Sequence, residues 1–211
     1  MKTKTERLRE ILHLSPVVPV LSFDDVDAAV GTSRALVAGG LPVIEITLRT
    51  PAALECIAAV AKHVSGAVVG AGTVLNSSMM RDCAEVGAQF LVSPGATHDL
   101  FDGLKRLDIP LLPGVCTPSE AMGLYNEGME ILKFFPAEPC GGASFLKSLA
   151  PVLPQITFCP TGGITEKSAP NYLKLPNVEC VGGSWVAPAN LVATQDWKAI
   201  QSLAAKAAKL G

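Results

Sequence analysis

Residues 43–63 read VIEITLRTPAALECIAAVAKH, and the fold prediction starts from this stretch. The short apolar run at residues 43–48 predicts a buried β-strand. Thr50 and Pro51 then place a capping residue before a first-turn proline, and residues 52–63 are good helix formers. The stretch therefore predicts one strand followed by one helix.

Seven more short apolar runs lie along the chain on either side of this one. Each is bounded by glycine, proline or a polar residue, and the eight runs fall at residues 17–21, 43–48, 67–70, 89–92, 110–112, 131–135, 156–159 and 178–181. Neighbouring runs are 21 to 26 residues apart. This spacing accommodates one strand, one helix and two short connections, so the chain is predicted to repeat the strand–helix unit eight times.

Helix signals between the runs support the repeat. Thr117 is followed by proline and, three residues later, by Glu120, which completes a capping box. Residues 26–37 form a helical segment that opens after two aspartates and stops before two glycines. Residues 5–14 are predicted to form an extra helix before the first strand, and residues 197–210 a last helix.

Apolar strands that alternate with helices are typical of parallel sheets covered on both faces. Eight repeats favour a (β/α)8 TIM barrel, of the α/β class, over an open doubly wound sheet. No linker, low-complexity tract or shift in composition divides the chain. Residues 1–211 are therefore predicted to form a single barrel domain with an extra N-terminal helix.

The composition excludes several classes of protein. Hydrophobic residues make up 49% of the chain and charged residues 17%, against a charged share of roughly 25% in soluble domains. Glycine, serine and asparagine interrupt the long uncharged stretches, so no membrane-spanning helix is predicted. A net charge of −2 and an aromatic share of 5% provide neither a basic stripe nor many stacking side chains, so nucleic acid is not an expected partner.

The amino-terminal segment and the cysteines indicate a cytoplasmic protein. The first fifteen residues mix acidic, basic and apolar side chains and have no continuous apolar core of the kind found in signal peptides. The six cysteines are never two residues apart and have no metal-ligand spacing with histidine. We interpret them as small buried residues.

Lys133 is the most unusual polar residue in a predicted strand. In a barrel of this kind the active site lies at the carboxyl ends of the strands. Lys133 stands in ILKFF, residues 131–135, with two apolar residues on each side, and lysine is almost never buried without a partner. It is either an ion-pair partner that serves stability or a nucleophilic amine inside the barrel.

Glu45 and Arg49 form a second candidate cluster. The period of two along a strand places Glu45, Thr47 and Arg49 on one face. If that face points inward, a glutamate near Lys133 suits proton transfer. A buried Glu45–Lys133 pair kept for stability is the weaker alternative, because such pairs often fail to recover their desolvation cost.

Two glycine pairs follow the last two predicted strands, Gly162-Gly163 and Gly182-Gly183. The loops after the seventh and eighth strands are where barrels bind phosphate, with backbone N–H groups and the start of a following helix. Glycine permits close approach of the backbone and unusual dihedral angles. Together the two turns predict a phosphate site.

Other polar residues are weaker candidates. The three histidines are predicted on helices and not at strand ends, so no metal site is predicted. GAGT at residues 70–73 lacks the third glycine and the downstream acid of a dinucleotide-binding fingerprint. For Glu138, a catalytic role and a loop or helix-start role both stay open.

Eight motifs together resemble those of the 2-keto-3-deoxy-6-phosphogluconate aldolase family, whose members are also described as 4-hydroxy-2-oxoglutarate aldolases. They are PVVPV (16–20), EITLRT (45–50), GAGTVL (70–75), SPG (93–95), PG (113–114), KFFPAE (133–138), CPTGGI (159–164) and GGSW (182–185). The resemblance covers about residues 16–188. It implies a cytoplasmic homotrimer, a class I mechanism without metal or cofactor, and a phosphorylated keto acid substrate cleaved to pyruvate and glyceraldehyde 3-phosphate.

The same resemblance implies roles for particular residues. Lys133 would form the Schiff base and Glu45 would act as general acid/base. The implied substrate-binding residues are Arg49 and Thr73 for the pyruvyl carboxylate, Pro94 and Phe135 for the pyruvyl pocket, Gly162, Gly163 and Ser184 for the phosphate, and Thr161 for the stereochemical choice at C4.

Two other functions stay open. An aldolase for the 6-phosphogalactonate epimer differs only in stereochemistry, and Thr161 is the residue that favours the gluconate isomer by resemblance. A non-catalytic phosphosugar-binding barrel would use the glycine turns alone, with Lys133 as an ion-pair partner.

Overall fold

The computed structural model describes residues 2–210, in which helices and strands alternate. The strands are β1 (Val17–Leu21), β2 (Val43–Thr47), β3 (Val68–Gly72), β4 (Phe90–Val92), β5 (Leu111–Leu112), β6 (Gly114–Val115), β7 (Ile131–Phe134), β8 (Thr157–Pro160) and β9 (Val181–Gly183). The helices are α1 (Lys4–Leu12), α2 (Val26–Ala38), α3 (Ala53–His63), α4 (Ser77–Glu85), α5 (His98–Arg106), α6 (Pro118–Asn126), α7 (Gly142–Leu149), α8 (Ala169–Leu173), α9 (Ala189–Ala193) and α10 (Trp197–Ala207).

The strands pair in parallel throughout two adjoining sheets. One sheet has the order β5-β4-β3-β2-β1-β9 and the other the order β6-β7-β8. Only Pro113 separates β5 from β6, and a parallel bridge joins Thr161, just after β8, to Gly182 in β9. The chain is therefore an α/β protein with a curled parallel sheet.

Two apolar clusters lie on opposite faces of the strands. The larger one joins the helices to the strand faces that point toward them. The smaller one contains Leu8 and Leu12 of α1 together with residues near the amino ends of several strands, among them Val18, Val43 and Ile131. Helix α1 thus packs against the amino ends of the strands. We call this the closed end and the carboxyl ends of the strands the open end.

The helices are short. The longest helix within residues 2–210 is α2, with 13 residues, whereas a membrane-spanning helix needs about 20. None of the helices in this range is long and apolar enough to cross a bilayer.

The capping box predicted at Thr117 is confirmed, because its side chain accepts from the Glu120 N–H and the Glu120 carboxylate accepts from the Thr117 N–H.

The predicted cap at Thr50 is wrong. Helix α3 begins at Ala53, its N-cap is Ala52, and no side chain caps it. The Thr50 hydroxyl instead donates to the Phe23 carbonyl oxygen at 2.5 Å. This hydrogen bond joins the loop after β2 to the loop after β1. The Thr50 side chain, which the local pattern assigns to a helix cap, therefore binds a residue distant in sequence instead.

The fifth and eighth strands differ from their predicted positions. The strand predicted at residues 110–112 is β5 at Leu111–Leu112, and a second short strand, β6, follows it after Pro113. The strand expected at 178–181 lies at Val181–Gly183, so Gly182 and Gly183 belong to a strand and not to a turn. They pair with β1, and a Cβ on Gly182 would lie only 2.3 Å from Thr161 Oγ1. Glycine is required there for close packing.

Candidate active site

Lys133 and Glu45 meet inside the curled sheet. Lys133 lies on β7 and Glu45 on β2, and the two residues are 4% and 3% exposed. Lys133 Nζ donates to Glu45 Oε1 at 3.3 Å. The structure therefore brings together two charged residues that are 88 positions apart in sequence, as the inward-facing interpretation of both strands predicts. The two groups are hydrogen-bonded, which is the arrangement that a proton-transfer pair requires.

Gly72 at the end of β3 makes room for the Glu45 carboxylate. A Cβ on Gly72 would lie 2.1 Å from Glu45 Oε1 and 2.7 Å from its Cδ. Any side chain at this position must displace the carboxylate, because such distances are far shorter than van der Waals contact. Sequence reasoning treated this glycine only as part of a motif, and its role depends on the β2–β3 pairing.

Arg49 and Thr73 lie together just beyond the ends of β2 and β3. Arg49 follows the end of β2 and lies in a turn, so the predicted continuation of the strand to this residue is not observed. Its Nε is 3.4 Å from Thr73 Oγ1. Thr73 has a φ of +60°, a left-handed conformation that β-branched residues rarely adopt. A strained backbone of this kind is found preferentially at functional sites.

A cavity of about 280 Å³ lies at the open end and gathers most of the other predicted residues. Its lining includes Arg49, Phe135, Thr161, Gly162, Gly163 and Ser184. Phe135 connects it to the lysine, because Lys133 Nζ lies 5.3 Å from the centroid of the Phe135 ring. The arginine and the glycine turn therefore line one cavity, and Phe135 in its wall lies beside the lysine.

The glycine turn offers unpaired backbone donors to this cavity. Gly162 and Gly163 have φ angles of +108° and +79°. Within residues 2–210, the N–H groups of Gly162, Gly163 and Ser184 donate to no protein acceptor. Successive free N–H groups form concave sites for anions. The start of a helix does not contribute as predicted, since α8 and α9 begin only at Ala169 and Ala189 and have five residues each.

Pro94 and Thr161 lie close to the paired charges through neighbouring strands. A Cβ on Gly114 would lie 2.3 Å from the Pro94 carbonyl, and Gly114 is the residue that pairs with Lys133. Thr161 is buried and its hydroxyl lies 3.5 Å from the Cys159 carbonyl oxygen. Cys159 in turn pairs with Lys133 from the other side.

Glu138 has a structural partner. Its carboxylate accepts from the Tyr172 hydroxyl at 2.8 Å, and burial together with this hydrogen bond raises the pKa of Tyr172. The Glu138 N–H donates to the Gly162 carbonyl oxygen at 3.0 Å. Glu138 therefore holds the turn after β7 against the glycine turn, which is the loop role that the sequence left open.

Sequence reasoning missed Ser22. Its hydroxyl is 2.5 Å from the Thr47 hydroxyl, and Thr47 also donates to the Leu21 carbonyl oxygen. The signal was a polar residue placed directly after the first strand.

No group of three or more His, Cys, Asp or Glu residues within residues 2–210 is arranged to hold a metal ion.

Comparisons with known proteins show the family of the chain. A family model described as KDPG and KHG aldolase matches residues 8–203. The KHG/KDPG aldolase of Escherichia coli (strain K12) is 44% identical over 207 residues, which cover 98% of this chain and 97% of that protein. The 2-keto-3-deoxy-6-phosphogluconate aldolase of Zymomonas mobilis ZM4, solved with 3-phosphoglycerate, has a TM-score of 0.93 at 48% identity and covers 98% of this chain and 97% of its own. KDPG aldolase from Legionella pneumophila, with pyruvate captured as a covalent carbinolamine intermediate, has a TM-score of 0.92 at 39% identity and corresponding coverages of 95% and 98%.

Proposed function

Because the chain belongs to the KDPG and KHG aldolase family, we propose that it cleaves 2-dehydro-3-deoxy-6-phosphogluconate reversibly to pyruvate and glyceraldehyde 3-phosphate through a Schiff base. We propose the same chemistry for 4-hydroxy-2-oxoglutarate, which yields pyruvate and glyoxylate. The observation that carries the proposal is the buried contact of 3.3 Å between Lys133 Nζ and Glu45 Oε1.

In the proposed reaction, the Lys133 amine adds to the keto carbon of the substrate and water leaves to give a protonated imine. Glu45 takes the proton from the C4 hydroxyl, the C3–C4 bond breaks, and its electron pair moves into the imine to form an enamine. Protonation at C3 and hydrolysis then release pyruvate and restore the amine. The carboxylate beside the amine is well placed to exchange protons in each step.

Arg49 and Thr73 hold the pyruvyl carboxylate in this proposal. A guanidinium group can bind both oxygens of a carboxylate in one plane, and the 3.4 Å contact with Thr73 keeps the two side chains together. Pro94 and Phe135 line the pyruvyl pocket. The ring of Phe135 lies within reach of the lysine, which supports this assignment.

Gly162, Gly163 and Ser184 bind the phosphate in the proposal. Their free N–H groups line the same cavity as Arg49. Binding energy from a remote phosphate serves to orient the substrate at the reacting carbon. Thr161, which lines the same cavity, is assigned the stereochemical choice at C4.

The remaining expectations concern architecture and assembly. We propose that the strands close into a (β/α)8 barrel with α1 as an extra N-terminal helix, and that residues 1–211 form one domain. Parallel pairing throughout and the Thr161–Gly182 bridge support closure. We also propose a cytoplasmic homotrimer that needs no metal or cofactor. The covalent carbinolamine in the Legionella protein supports the metal-independent mechanism, and light scattering tests the trimer.

Reduction with borohydride tests the Schiff base. The protein is incubated with pyruvate and borohydride, digested, and mapped by mass spectrometry. The expected result is a reduced pyruvate adduct on Lys133. A Lys147→Met variant, which changes an exposed lysine on α7, should be labelled as the unmodified chain is. Absence of the adduct from Lys133 would refute the proposal and favour a non-catalytic sugar-phosphate binder.

The stereochemical assignment has its own test. The values of kcat/KM are compared for the gluconate and galactonate forms of the phosphorylated keto acid. We expect the gluconate form to be preferred. A preference for the galactonate form would show that Thr161 does not select as proposed, while leaving the Schiff-base chemistry intact.

A further inference from the structure

We propose that Glu138 and Tyr172 are positioning residues for the glycine turn, Gly162-Gly163, and that their hydrogen bond sets how strongly the protein prefers a phosphorylated keto acid over one without phosphate. Neither residue takes part in the aldol steps described above. The substrate preference rests on the proposed function, whereas the hold on the glycine turn does not.

Glu138 touches both glycines of the turn. Its N–H donates to the Gly162 carbonyl oxygen at 3.0 Å. Its side chain lies directly over Gly163, because a Cβ on that glycine would lie 2.9 Å from both Cβ and Cγ of Glu138. Gly163 has a φ of +79°, a backbone conformation that glycine adopts readily. The backbone of Glu138 thus fixes the first glycine, and its side chain packs on the second.

Tyr172 holds the Glu138 side chain in this place. Tyr172 lies on α8 and is 1% exposed, whereas Glu138 is exposed. The Tyr172 hydroxyl donates to Glu138 Oε1 at 2.8 Å. Burial and this hydrogen bond raise the pKa of Tyr172, so the phenol keeps the proton that it donates. An exposed glutamate has many rotamers available to it, and the buried phenol selects one of them.

The Glu138–Tyr172 hydrogen bond joins the turn after β7 to the helix that follows the glycine turn. On the other side, the Ala137 N–H donates to the Thr161 carbonyl oxygen at 2.8 Å, directly before the glycines. Residues 137–138 therefore anchor the glycine turn on both flanks. Loss of the Glu138 carboxylate removes the anchor after the glycines and leaves the one before them.

This anchoring matters for the anion because hydrogen bonds are directional. Within residues 2–210, the N–H groups of Gly162 and Gly163 donate to no protein acceptor, and both glycines line the cavity. A turn that must be ordered on binding holds its ligand more weakly than one that is already ordered. A carboxylate repels a phosphate group, so Glu138 acts through the turn and not by contact with the ligand.

Two substrates separate the glycine turn from the rest of the site. In 2-dehydro-3-deoxy-6-phosphogluconate, C5 and C6 lie between C4 and the phosphate ester. In 4-hydroxy-2-oxoglutarate, a carboxylate is attached directly to C4 and there is no phosphate. Lys133, Glu45 and Arg49 act on both substrates alike in the proposed reaction, whereas only the phosphate reaches the glycine turn. A change confined to the turn therefore alters the ratio of kcat/KM for the phosphorylated substrate to kcat/KM for the other.

The test measures this ratio for variants of the full chain, together with the Kd for inorganic phosphate by titration calorimetry. Glu138→Ala removes the carboxylate, and Tyr172→Phe removes the hydroxyl but keeps the ring. Each should lower the ratio and raise the phosphate Kd roughly tenfold, the scale of one hydrogen bond. Glu138→Gln retains an oxygen that accepts from Tyr172 and should stay close to the unmodified chain. The double variant Glu138→Ala, Tyr172→Phe should be no worse than either single variant, because all three lack the same bond.

Glu166→Ala and Tyr125→Phe are the matched controls. They alter an exposed glutamate that follows the same turn and an exposed tyrosine on α6, and neither should lower the ratio or raise the phosphate Kd. Equal losses on both substrates in Glu138→Ala, with a lower Tm, would overturn the proposal in favour of a general role in stability. An unchanged ratio, or a Glu138→Gln variant as impaired as Glu138→Ala, would also overturn it. A chain whose phosphate Kd responds as expected but which cleaves neither keto acid would refute the proposed function alone.

Discussion

The closed and open ends of the strands use polar residues in opposite ways. At the closed end, the Glu179 carboxylate accepts from Thr157 Oγ1 at 2.7 Å and from Arg9 Nε at 3.4 Å, and it also pairs with His13. At the open end, the Gly162 and Gly163 N–H groups within the described residues have no protein partner. Polar groups that satisfy one another stabilise the fold, whereas N–H groups without a protein acceptor are free to donate to a ligand.

The largest expected effect is at Lys133, whose buried side chain pairs with Glu45. A Lys133→Met variant should lose kcat/KM by at least about 10⁴-fold, which is the scale on which removal of a covalent nucleophile acts. It should also lose about 3–5 kcal/mol of stability, because Glu45 is left buried without its partner. Activity assays and denaturant titration measure the two effects.

A Glu45→Gln, Lys133→Met double variant separates these effects. It should recover part of the lost stability, because no charge is left unpaired, and none of the activity. The exposed change Lys147→Met is the matched control and should alter neither property. If Lys133→Met kept more than about a hundredth of the activity, the loss would be smaller than removal of a catalytic nucleophile causes. Lys133 would then not be the nucleophile, and the contrast between the two ends would not hold.

The next effect concerns Gly72, which leaves space for the Glu45 carboxylate. Gly72→Ala places a Cβ 2.1 Å from Glu45 Oε1, so the carboxylate must move. We expect kcat to fall by about 100-fold, the scale of a displacement near 1 Å, together with a loss of about 1–3 kcal/mol from overpacking. Steady-state kinetics and thermal unfolding measure both.

Gly123→Ala is the matched control for Gly72→Ala. Nothing lies within 4 Å of a Cβ at Gly123, and the residue is in helix α6. Alanine should therefore stabilise the protein by up to about 1 kcal/mol and leave kcat unchanged. Full activity of Gly72→Ala would mean that the position of Glu45 does not limit the reaction.

Lys133 and Gly72 show what the sequence could and could not predict. Lys133 was predictable because a charged residue inside an apolar run is visible locally. The role of Gly72 was not, because it depends on the register in which β2 pairs with β3. The same applies to Gly182 and Gly183, which local pattern assigns to a turn and which β1 holds in a strand. The motifs contain residues that the structure brings together, and long-range strand pairing determines how closely they meet.

The closed end was largely invisible in the sequence for the same reason. Arg9 and Glu179 are separated by 170 positions, and neither stands out from its neighbours. Thr50 carried a misleading local signal, since a threonine before proline resembles a cap and here binds another loop. Local rules work where the partners are adjacent, as in the capping box at Thr117.

The pH dependence of stability tests the role of Glu179 at the closed end. Burial alone would raise the pKa of Glu179, but the hydrogen bonds from Thr157 and His13, the His13 charge and Arg9 outweigh it, so the pKa lies below the ordinary 4.5. A carboxylate with a lowered pKa contributes stability above its unfolded pKa and loses it as pH falls through the folded pKa. The Tm of the protein should therefore fall in acid partly because of Glu179.

A Glu179→Gln variant should have a lower Tm at neutral pH and a weaker dependence of Tm on pH below about pH 5. The two curves of Tm against pH should converge in acid. Glu130→Gln, which alters the more exposed partner of Arg9, should remain close to the unmodified protein throughout. Parallel curves for Glu179→Gln would mean that the closed end does not depend on this ionised carboxylate.

The smallest effect is expected at Thr117, a polar residue at the open end whose partners are all local. Its side chain caps α6, and among residues 2–210 its hydrogen bonds are with Glu120 alone. Thr117→Ala should lower stability by about 1 kcal/mol, the usual value of a cap, and leave kcat/KM unchanged, whereas the neighbouring exposed change Ser119→Ala should affect neither. If Thr117→Ala lost activity without losing stability, the location of a polar group at the open end would matter more for activity than whether it has a hydrogen-bond partner in the protein. An unchanged kcat/KM would mean that the free N–H groups and the Lys133–Glu45 pair distinguish the site from the surrounding loops.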